Sequence, residues 1–327
     1  MAARTLTPPD TRVALGVDLG GTHVRAALVD ARGAIRARAE ERTDAAGGPD
    51  RVLAQIKRLT DGVLADAPEE VVGIGVSTPG PVDTIAGVAQ DIPTLAGFVG
   101  YPLRAELQKQ YPFPVILEND GIAAAVGEWR FGAGRGLDNI VYLTVSTGIG
   151  GGVIADGRVL RGRMGMAGHI GHMSIAPDGA LCPCGGRGCF EAYGSGTALA
   201  ARARMAAVGC GDTVLGRDGG GIDGRSVFAA ARDGDRLANQ LIDEEAEILG
   251  RGITSLLHIF SPDIVVVGGG LSDEFERLRP GMRSYVATFA MPAFRDVNVV
   301  KAALGQNSGL VGSAALAFLA DVSREER

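Results

Sequence analysis

Apolar and polar residues follow two periods along the chain, and these periods predict a protein built of both strands and helices. Short apolar runs that end at glycine or proline predict strands, and apolar residues at three- and four-residue spacing predict amphipathic helices. The predicted strands lie within 13–30, on either side of a Gly20-Gly21 turn, and at 34–41, 71–76, 115–117, 140–145, 153–155, 158–160 and 264–267. The predicted helices are 49–64, 103–110, 121–130, 197–204, 235–260 and 310–322.

A strand, a glycine turn and a second strand occur twice, first at 13–30 and again at 140–155. The first turn, 20–22, follows Asp18, and a third glycine cluster ends the strand at 264–267. Bare backbone amides and a hydroxyl suit phosphate oxygens, and a carboxylate suits the magnesium that accompanies a nucleotide. A plain glycine hairpin with Asp18 at a strand end is the alternative for the first turn alone. The three clusters together favour a nucleotide held between two similar halves.

Three of the four cysteines lie close together and follow a histidine. His172, Cys182, Cys184 and Cys189 read H-x9-C-x-C-x4-C. Thiols that stay reduced in the cytoplasm are better interpreted as metal ligands than as disulfides, and a Cys3His set fits a closed tetrahedral zinc site. Free buried thiols are the alternative interpretation. Cys210 stands apart from this group and is expected to be structural.

A predicted strand-to-helix junction carries Asn119 and Asp120. Either residue would make a good helix N-cap, which is the purely structural interpretation of both. A carboxylate facing a cleft at such a junction can also accept a proton from a bound hydroxyl group, so Asp120 is a candidate general base. A rigid loop with Gly80 between two prolines follows the strand at 71–76, and loops at such strand ends border ligands in open α/β sheets.

Composition limits the partners and the compartment. With 327 residues, of which 46% are hydrophobic, the chain is long enough for about two domains. The formal charge is −6 and the 32 Lys and Arg residues are scattered, so a nucleic-acid partner is not expected. The first twelve residues lack the apolar core of a signal peptide, and no later apolar run has the length of a membrane span. We therefore expect a cytoplasmic protein with no membrane partner.

The motifs resemble those of the ROK family, named for repressors, open reading frames and sugar kinases, from about Leu15 to Leu319. Six segments in the family's order carry the resemblance: GVDLGGTHVRAALVD and VSTGIGGGVIADGRVLRG resemble its two phosphate segments, VSTPGPVD and ENDGIAAAVGE its sugar and catalytic segments, GHIGHM with CPCGGRGCFEA its zinc signature, and VVVGGG its adenosine segment. The resemblance implies the α/β, actin-like ATPase fold, related to ribonuclease H, with two α/β domains around a cleft. It also implies phosphoryl transfer from ATP, with Mg²⁺, to a sugar hydroxyl, usually the 6-hydroxyl.

The resemblance carries roles onto single residues of this chain. Asp120 matches the catalytic base. The positions expected to bind the sugar are Gly80, Asn119, Asp120, His169, His172 and Glu191. The positions expected to bind ATP and its magnesium are Asp18, Gly20, Gly21, Thr22, Thr147, Gly148, Gly150, Gly268 and Gly269. His172 would also ligate the structural zinc with Cys182, Cys184 and Cys189, which would tie the metal to the sugar site.

The chain departs from the family's pattern at several positions. His23 replaces the usual lysine after the first G-G-T, Asp91 and Thr94 replace the usual asparagines of the sugar loop, and Phe98 replaces the usual tryptophan. His169 replaces the usual glutamate of the E-x-G-H motif, which normally contacts the C1 to C2 edge of the sugar. The H-I-G-H variant is similar to that of bacterial N-acetylmannosamine kinases. We expect ATP-dependent phosphorylation of a hexose or N-acylhexosamine, with N-acetylmannosamine favoured and glucose, with ATP or polyphosphate as donor, as the alternative.

Two other functions are open within the same family. Sugar-responsive repressors carry a DNA-binding domain before the first phosphate segment, and only about fifteen residues precede Gly16, so we do not expect a repressor. A sugar sensor without catalysis is the second alternative, and the presence of both Asp18 and Asp120 argues against it.

The expected organisation follows from the order of the motifs. We expect an N-terminal α/β domain at 13–120, on which a C-terminal helix at 310–322 packs back. A larger α/β domain is expected at 121–309, with a zinc loop at 172–189. The expected partners are a small sugar and ATP, and the chain is expected to form a homodimer or homotetramer.

Overall fold

The computed structural model describes residues 11–65, 67, 70–216 and 221–325, which form two compact units. The first unit contains the described residues up to Ala123, Met164–Met166 and those from Gly309 onward. The second contains Ala124–Arg163 and the described part of Ala167–Ser308. No helix in these ranges combines the length and the apolar character that crossing a bilayer requires.

Groups of strands and groups of helices follow one another along the chain. The strands are β1 (Val13–Leu19), β2 (His23–Asp30), β3 (Ile35–Arg42), β4 (Val71–Thr78), β5 (Val82–Asp83), β6 (Val88–Ala89), β7 (Val115–Asn119), β8 (Ile140–Val145), β9 (Ile149–Ala155), β10 (Arg158–Val159), β11 (Ile264–Gly268) and β12 (Asn298–Lys301). The α-helices are α1 (Gly48–Leu64), α2 (Leu103–Gln108), α3 (Asp120–Phe131), α4 (Glu191–Gly194), α5 (Gly196–Ala207), α6 (Gly224–Arg232), α7 (Arg236–Phe260), α8 (Phe275–Phe289) and α9 (Ser308–Glu325). Short 3₁₀ segments are Ile170–His172, Gly270–Glu274, Pro292–Phe294 and Gly305–Asn307.

The first unit is built on a five-stranded sheet in the order β3-β2-β1-β4-β7. The strands β1, β2 and β3 pair antiparallel, whereas β1, β4 and β7 run parallel. Side chains alternate between the faces of a strand, so Leu15 and Val17 of β1 lie in one apolar core with Val52 and Ile56 of α1. The carboxyl ends of β1, β4 and β7 therefore meet at one edge of this sheet.

Helix α9 covers the opposite face of the same sheet at very close range. A Cβ atom on Gly75 of β4 would lie 1.7 Å from the carbonyl oxygen of Ser313, and one on Gly16 of β1 would lie 2.4 Å from that of Leu310. Both contacts are with helix backbone, which cannot turn aside as a long side chain can. The two glycines are thus required by packing and leave no room for any larger residue.

The second unit repeats the strand pattern of the first. Its sheet has the order β10-β9-β8-β11-β12, with β8, β9 and β10 antiparallel and β8, β11 and β12 parallel. Its core contains one face of β8 and one face of β11, packed against the long helix α7, whose buried residues include Leu249, Ile253 and Leu257. The repeated strand, glycine turn and strand of the sequence thus corresponds to a repeated five-stranded sheet.

Four named elements of the second unit have no counterpart among the sequence predictions: α4, α6, α8 and β12. Helix α8 contains Pro280 and Gly281, which normally indicate a helix end. In the structure Pro280 is exposed, while Gly281 lies against α7, where its Cβ would be 2.6 Å from that of Ala246. Close packing of α8 on α7 therefore explains why a glycine occurs inside this helix. The same glycine is the reason that the sequence pattern does not predict the helix.

Gly75→Ala tests the close approach of α9 to the first sheet. We expect it to lower the free energy of unfolding by about 3 kcal/mol, because the new methyl group overlaps backbone that can move only with the whole helix. Urea denaturation followed by circular dichroism measures the change. Gly62→Ala on the exposed side of α1, where nothing lies within 4 Å of the added carbon, is the matched control and should gain up to about 1 kcal/mol. Equal stability of the two variants would contradict the packing argument.

Candidate active site and metal cluster

Asp18 lies at the carboxyl end of β1 and is held from both neighbouring strands. Ser77 of β4 donates its hydroxyl hydrogen to Oδ1 at 3.0 Å, and Nε of Arg25 on β2 lies 3.5 Å from Oδ2. Arg25 is the direct cross-strand neighbour of Asp18 in the β1–β2 register. Gly309, in the first turn of α9, is also adjacent, and a helix N-terminus favours a negative charge. Asp18 is therefore a fixed, half-buried carboxylate.

The first glycine turn (Gly20–Thr22) follows Asp18 directly. The Gly20 amide donates to the carbonyl of His23 at 2.9 Å, so it closes the turn itself. No acceptor among the described residues faces the amides of Gly21 and Thr22. Gly21 also has little room, since a Cβ there would lie 2.6 Å from the Cβ of Thr94. Two backbone donors beside a carboxylate are what a phosphate group with its cation requires.

Asn119 and Asp120 lie at the junction of β7 and α3. Both side chains accept a hydrogen bond from the Gly121 amide, at 3.0 Å from Asn119 Oδ1 and 2.7 Å from Asp120 Oδ1. Asn119 thus makes the expected helix-capping contact, whereas Asp120 is the first residue of α3 and accepts from the amide that directly follows it. Because Thr78 of β4 pairs with Asn119, the loop that contains Gly80 begins at the same sheet edge. Gly80, Asn119 and Asp120 are therefore brought to one place in the first unit.

The protein environment of Asp120 raises the pKa of its carboxyl group. Desolvation by the surrounding protein and the negative charge of Asp18 raise the pKa of Asp120 to about 6, while the bond from Gly121 opposes the shift. The side chain is nevertheless exposed to solvent, so it is flanked by protein and still reachable by a ligand. The negative charge of Asp18 also raises the pKa of Asp120, and this effect does not require full burial of the side chain. A carboxyl group with this pKa is mostly ionised at neutral pH and close to the value that suits a general base.

The second glycine turn (Ser146–Gly148) connects β8 to β9 in the second unit. The Ser146 carbonyl accepts the Gly196 amide at 2.8 Å, and the Thr147 carbonyl accepts the Thr197 hydroxyl at 2.8 Å, so the N-terminus of α5 supports the turn. The third glycine cluster is adjacent, because a Cβ on Gly269 would lie 2.5 Å from the Val145 carbonyl oxygen. Gly269 has φ of +83°, which favours glycine. The second unit thus brings Thr147, Gly148, Gly268 and Gly269 together.

The glycines after this turn have a different position from the one predicted. The sequence predicts a turn over 146–152, but Gly150, Gly151 and Gly152 belong to β9 and pair with β8. A Cβ on Gly151 would lie 2.5 Å from Cδ1 of Ile170, so this glycine makes room for the segment that precedes His172. The glycine-rich segment predicted as one turn is therefore a turn over 146–148, followed by a strand that begins at Ile149.

The cysteine loop (residues 172–189) gathers its four candidate ligands in one place. The donor atoms of His172, Cys182, Cys184 and Cys189 all lie within 4.8 Å of one another. Cys184 Sγ and Cys189 Sγ are 3.7 Å apart, as are Cys182 Sγ and His172 Nδ1. Tetrahedral ligands about 2.3 Å from a zinc ion would lie about 3.8 Å apart, so the spacing fits this metal. We name these four residues the metal cluster.

Glu191 connects the metal cluster to the second glycine turn. Its Oε2 accepts the Ile149 amide at 2.8 Å, and its Oε1 lies 3.9 Å from Cys182 Sγ. A Cβ on Gly148 would lie only 2.5 Å from Oε2, so the turn needs a glycine beside this carboxylate. His169 is close as well, since its ring centroid lies 6.3 Å from that of His172. Glu191 and His172 thus both lie beside Cys182, and His169 lies next to His172.

Two residues that support Asp18 have no assigned role in the sequence analysis. Arg25 and Ser77 contact the carboxylate from opposite sides. The β-hairpin register counted outward from the Gly20-Gly21 turn places Arg25 opposite Asp18, so the arginine could have been identified from the sequence. Ser77 comes from a parallel strand, whose register the sequence does not fix.

Comparison with known proteins agrees with this arrangement. A model of the ROK family matches residues 14–319. The chain is 37% identical to the glucokinase of Thermotoga maritima, over 92% of this chain and 96% of that protein. It is 35% identical to the N-acetylmannosamine kinase of Shigella boydii serotype 18, over 93% of this chain and 97% of that protein.

A solved structure extends the similarity to three dimensions. The ROK family glucokinase from Streptomyces griseus in complex with glucose and AMPPNP is 35% identical, with a TM-score of 0.79. The match covers 94% of this chain and 99% of that one. The chain therefore belongs to the ROK family and has the actin-like ATPase fold of its sugar kinases.

Proposed function

We propose that this ROK-type sugar kinase transfers the γ-phosphoryl group of ATP to the 6-hydroxyl of a hexose or N-acylhexosamine. The proposal rests on the position of Asp120, whose carboxylate lies at the carboxyl edge of the first sheet. Desolvation and the negative charge of Asp18 raise its pKa. One carboxylate can serve the sugar hydroxyl and the other the nucleotide side. Kinases of this type need both functions.

In the proposed reaction Asp120 accepts the proton of the sugar hydroxyl as its oxygen bonds to the γ-phosphorus and the bond to the ADP oxygen breaks. The proton ends on Asp120 and the charge of the leaving group on ADP, so the step is balanced. Asn119, His172 and Glu191 orient the sugar by hydrogen bonds. Such positioning, together with neutralisation of phosphate charge, supplies most of the rate in phosphoryl transfer.

The nucleotide is assigned to the glycine turns. Amides of the first glycine turn, and Thr147 and Gly148 of the second, can donate to phosphate oxygens, while Gly268 and Gly269 border the adenosine. Asp18 would hold the magnesium ion, which neutralises phosphate charge when bound. Ser77 and Arg25 keep the Asp18 side chain in one orientation for that purpose.

Asp120→Asn tests the assignment of the base. The amide keeps the size of the side chain and its bond to Gly121 but cannot accept the proton, so kcat should fall about 10²- to 10⁴-fold while the sugar Kd stays within a few-fold. In the wild type, kcat/KM should decline as pH falls through about 6, because protonation removes the base.

Coupled ADP-release kinetics and calorimetry measure both quantities, with Asp61→Asn on the exposed side of α1 as the control. Near wild-type turnover of Asp120→Asn would show that another group accepts the proton.

We propose that the metal cluster holds a structural zinc ion. Three thiolates and an imidazole are a soft, closed ligand set, which is typical of structural rather than catalytic zinc. Coordination through His172 Nδ1 would leave the proton on Nε2, from which His172 can donate a hydrogen bond to a sugar hydroxyl. The ion itself would supply folding energy to a loop with few apolar residues.

Cys184→Ser tests the zinc and its link to the sugar. We expect one zinc per chain in the wild type by elemental analysis, and loss of zinc in the variant. The sugar KM should rise by about tenfold or more, equivalent to roughly 1.4 kcal/mol, because Glu191 and His172 lose their support. Cys210→Ser, at the exposed cysteine outside the cluster, is the matched control and should change neither value. A zinc-free wild type, or an unchanged KM in Cys184→Ser, would contradict this proposal.

For the substrate we propose N-acetylmannosamine, with glucose as the second candidate. His169 supports the first, because an imidazole can donate one hydrogen bond and accept another, and it offers a flat face to an acetamido group. A glutamate at this position would instead accept bonds from sugar hydroxyls. The identity of 37% with a glucokinase, against 35% with an N-acetylmannosamine kinase, supports glucose at least as well.

His169→Glu separates the two candidates. We expect kcat/KM of the wild type to be higher for N-acetylmannosamine than for glucose, and the variant to move the ratio toward glucose roughly tenfold or more, since hydrogen bonds to charged groups contribute roughly 1.5–3 kcal/mol. His169→Gln, which keeps one donor and one acceptor, should keep the wild-type preference.

The panel should contain glucose, mannose, fructose, N-acetylglucosamine and N-acetylmannosamine, each with ATP and with polyphosphate. Glucose as the best substrate, with a rank that His169→Glu does not alter, would leave His169 as a packing residue beside the cysteine loop and the protein as a glucokinase.

A further inference from the structure

A buried ion pair lies behind the candidate sugar site of the second unit. Nη2 of Arg202 on α5 donates to Oε2 of Glu245 on α7 at 2.5 Å. The Glu245 side chain has no exposed surface and that of Arg202 is 20% exposed. Desolvation by burial raises the pKa of Glu245 to about 7, and the charge of Arg202 opposes the shift. The proposed reaction uses neither residue.

The pair is incompletely satisfied, which distinguishes it from other buried charges of the unit. Glu245 Oε1 and Arg202 Nε are buried without a hydrogen-bond partner among the described residues. Glu128 on α3, by contrast, is equally buried and accepts bonds from the amides of Ala133, Ala303 and Leu304 and from the Ser308 hydroxyl. A buried ion pair with unmet hydrogen bonds contributes little stability, because desolvation offsets the attraction. The pair therefore contributes mainly by fixing the position of the groups around it.

The ion pair is connected to helix α4 by a second contact of Arg202. The other terminal nitrogen of Arg202, Nη1, donates to the backbone carbonyl of Tyr193. This carbonyl belongs to the last turn of a four-residue helix, where carbonyl groups have no partner within the helix. An isolated helix of that length has no stability of its own. Arg202, oriented by Glu245, thus fixes the C-terminal end of α4.

Helix α4 begins with Glu191 and also contacts the cysteine loop. The Tyr193 hydroxyl accepts a hydrogen bond from the Ala180 amide at 2.8 Å. Tyr193 therefore accepts from Arg202 through its backbone carbonyl and from the cysteine loop through its hydroxyl. At the N-terminal end Phe190 fills the space over Gly252 of α7, where a Cβ would lie 2.2 Å from its ring. The two ends of α4 are therefore fixed to α7 by different means, one apolar and one ionic.

We propose that Arg202 and Glu245 are positioning residues that hold Glu191, through Tyr193 and α4, in the orientation that binds the sugar. The proposal rests on the function proposed above, in which Glu191 contacts the sugar. Neither residue is among those proposed to bind the sugar, the nucleotide or the zinc ion. Their loss should therefore weaken sugar binding while the binding of ATP and zinc is retained.

The test replaces both charges at once by Arg202→Met together with Glu245→Met. Either change alone would leave a buried charge without its partner, whereas apolar replacement of a whole buried pair is often neutral or stabilising. We expect a melting temperature at or above the wild-type value, one zinc per chain and an unchanged KM for ATP. The sugar KM should rise about tenfold to a hundredfold, as expected when a binding group is misplaced by about 1 Å.

Two further variants separate positioning from general damage. Arg204→Met removes an exposed arginine from the same helix and should change none of these values. Glu245→Gln keeps an acceptor for Arg202 and should keep the sugar KM within a few-fold of wild type. A stable double variant with wild-type sugar KM would overturn the proposal, and so would a Glu245→Gln variant as impaired as the double variant.

Hydrogen exchange makes the result independent of the sugar assignment. The amides of Ala192, Tyr193 and Gly194 are bonded within and just before α4, and they should exchange faster in the double variant than in the wild type. If the wild type phosphorylates none of the sugars, the proposed function fails, and the exchange rates alone decide the positioning. Unchanged exchange in a folded double variant would then overturn it.

Discussion

The hydrogen bond from the Ile149 amide to Glu191 is the interaction on which the second unit's candidate site depends. It is 2.8 Å long and joins the second glycine turn to α4, while the other carboxylate oxygen faces Cys182 of the metal cluster. One side chain therefore touches the segment proposed to bind phosphate and the loop proposed to bind zinc. A displacement of Glu191 would move the carboxylate proposed to bind the sugar, which is why the support behind α4 matters. Phe190 and the pair Arg202–Glu245 provide that support from α7.

The candidate site residues of the first unit are held in place by sheet and helix packing. Its site residues lie at the carboxyl edge of parallel strands, where Asp18 and Asp120 come from β1 and the start of α3. Packing of α9 on the sheet requires Gly16 and Gly75, so rigid contact between a helix and this sheet maintains the edge. The two units share a strand order but differ in how they stabilise their ligand-facing loops. The first uses sheet and helix packing, and the second adds a group of four candidate metal ligands.

Much of this could be predicted because the relevant signals are local. Apolar periodicity predicted α1, α7 and most strands within a few residues, and the cysteine spacing predicted the cluster of donors that the structure contains. Local signals failed where a glycine serves packing between distant segments, as Gly281 of α8 and Gly151 of β9 do. They also could not reveal Arg202 and Glu245, which are 43 positions apart and meet only because α5 packs on α7. The raised pKa of Asp120 likewise depends on desolvation by the folded protein and on the charge of Asp18, which lies on β1.

Chemical analysis of the reaction products tests the central claim, phosphoryl transfer from ATP to a sugar, most directly. The wild-type protein is incubated with ATP, Mg²⁺ and N-acetylmannosamine or glucose, and the products are identified by phosphorus NMR and mass spectrometry. The account predicts a sugar phosphomonoester on the 6-oxygen, formed in equal amount with ADP. ATP that stays intact with every sugar, or ADP that appears only with inorganic phosphate, would contradict it.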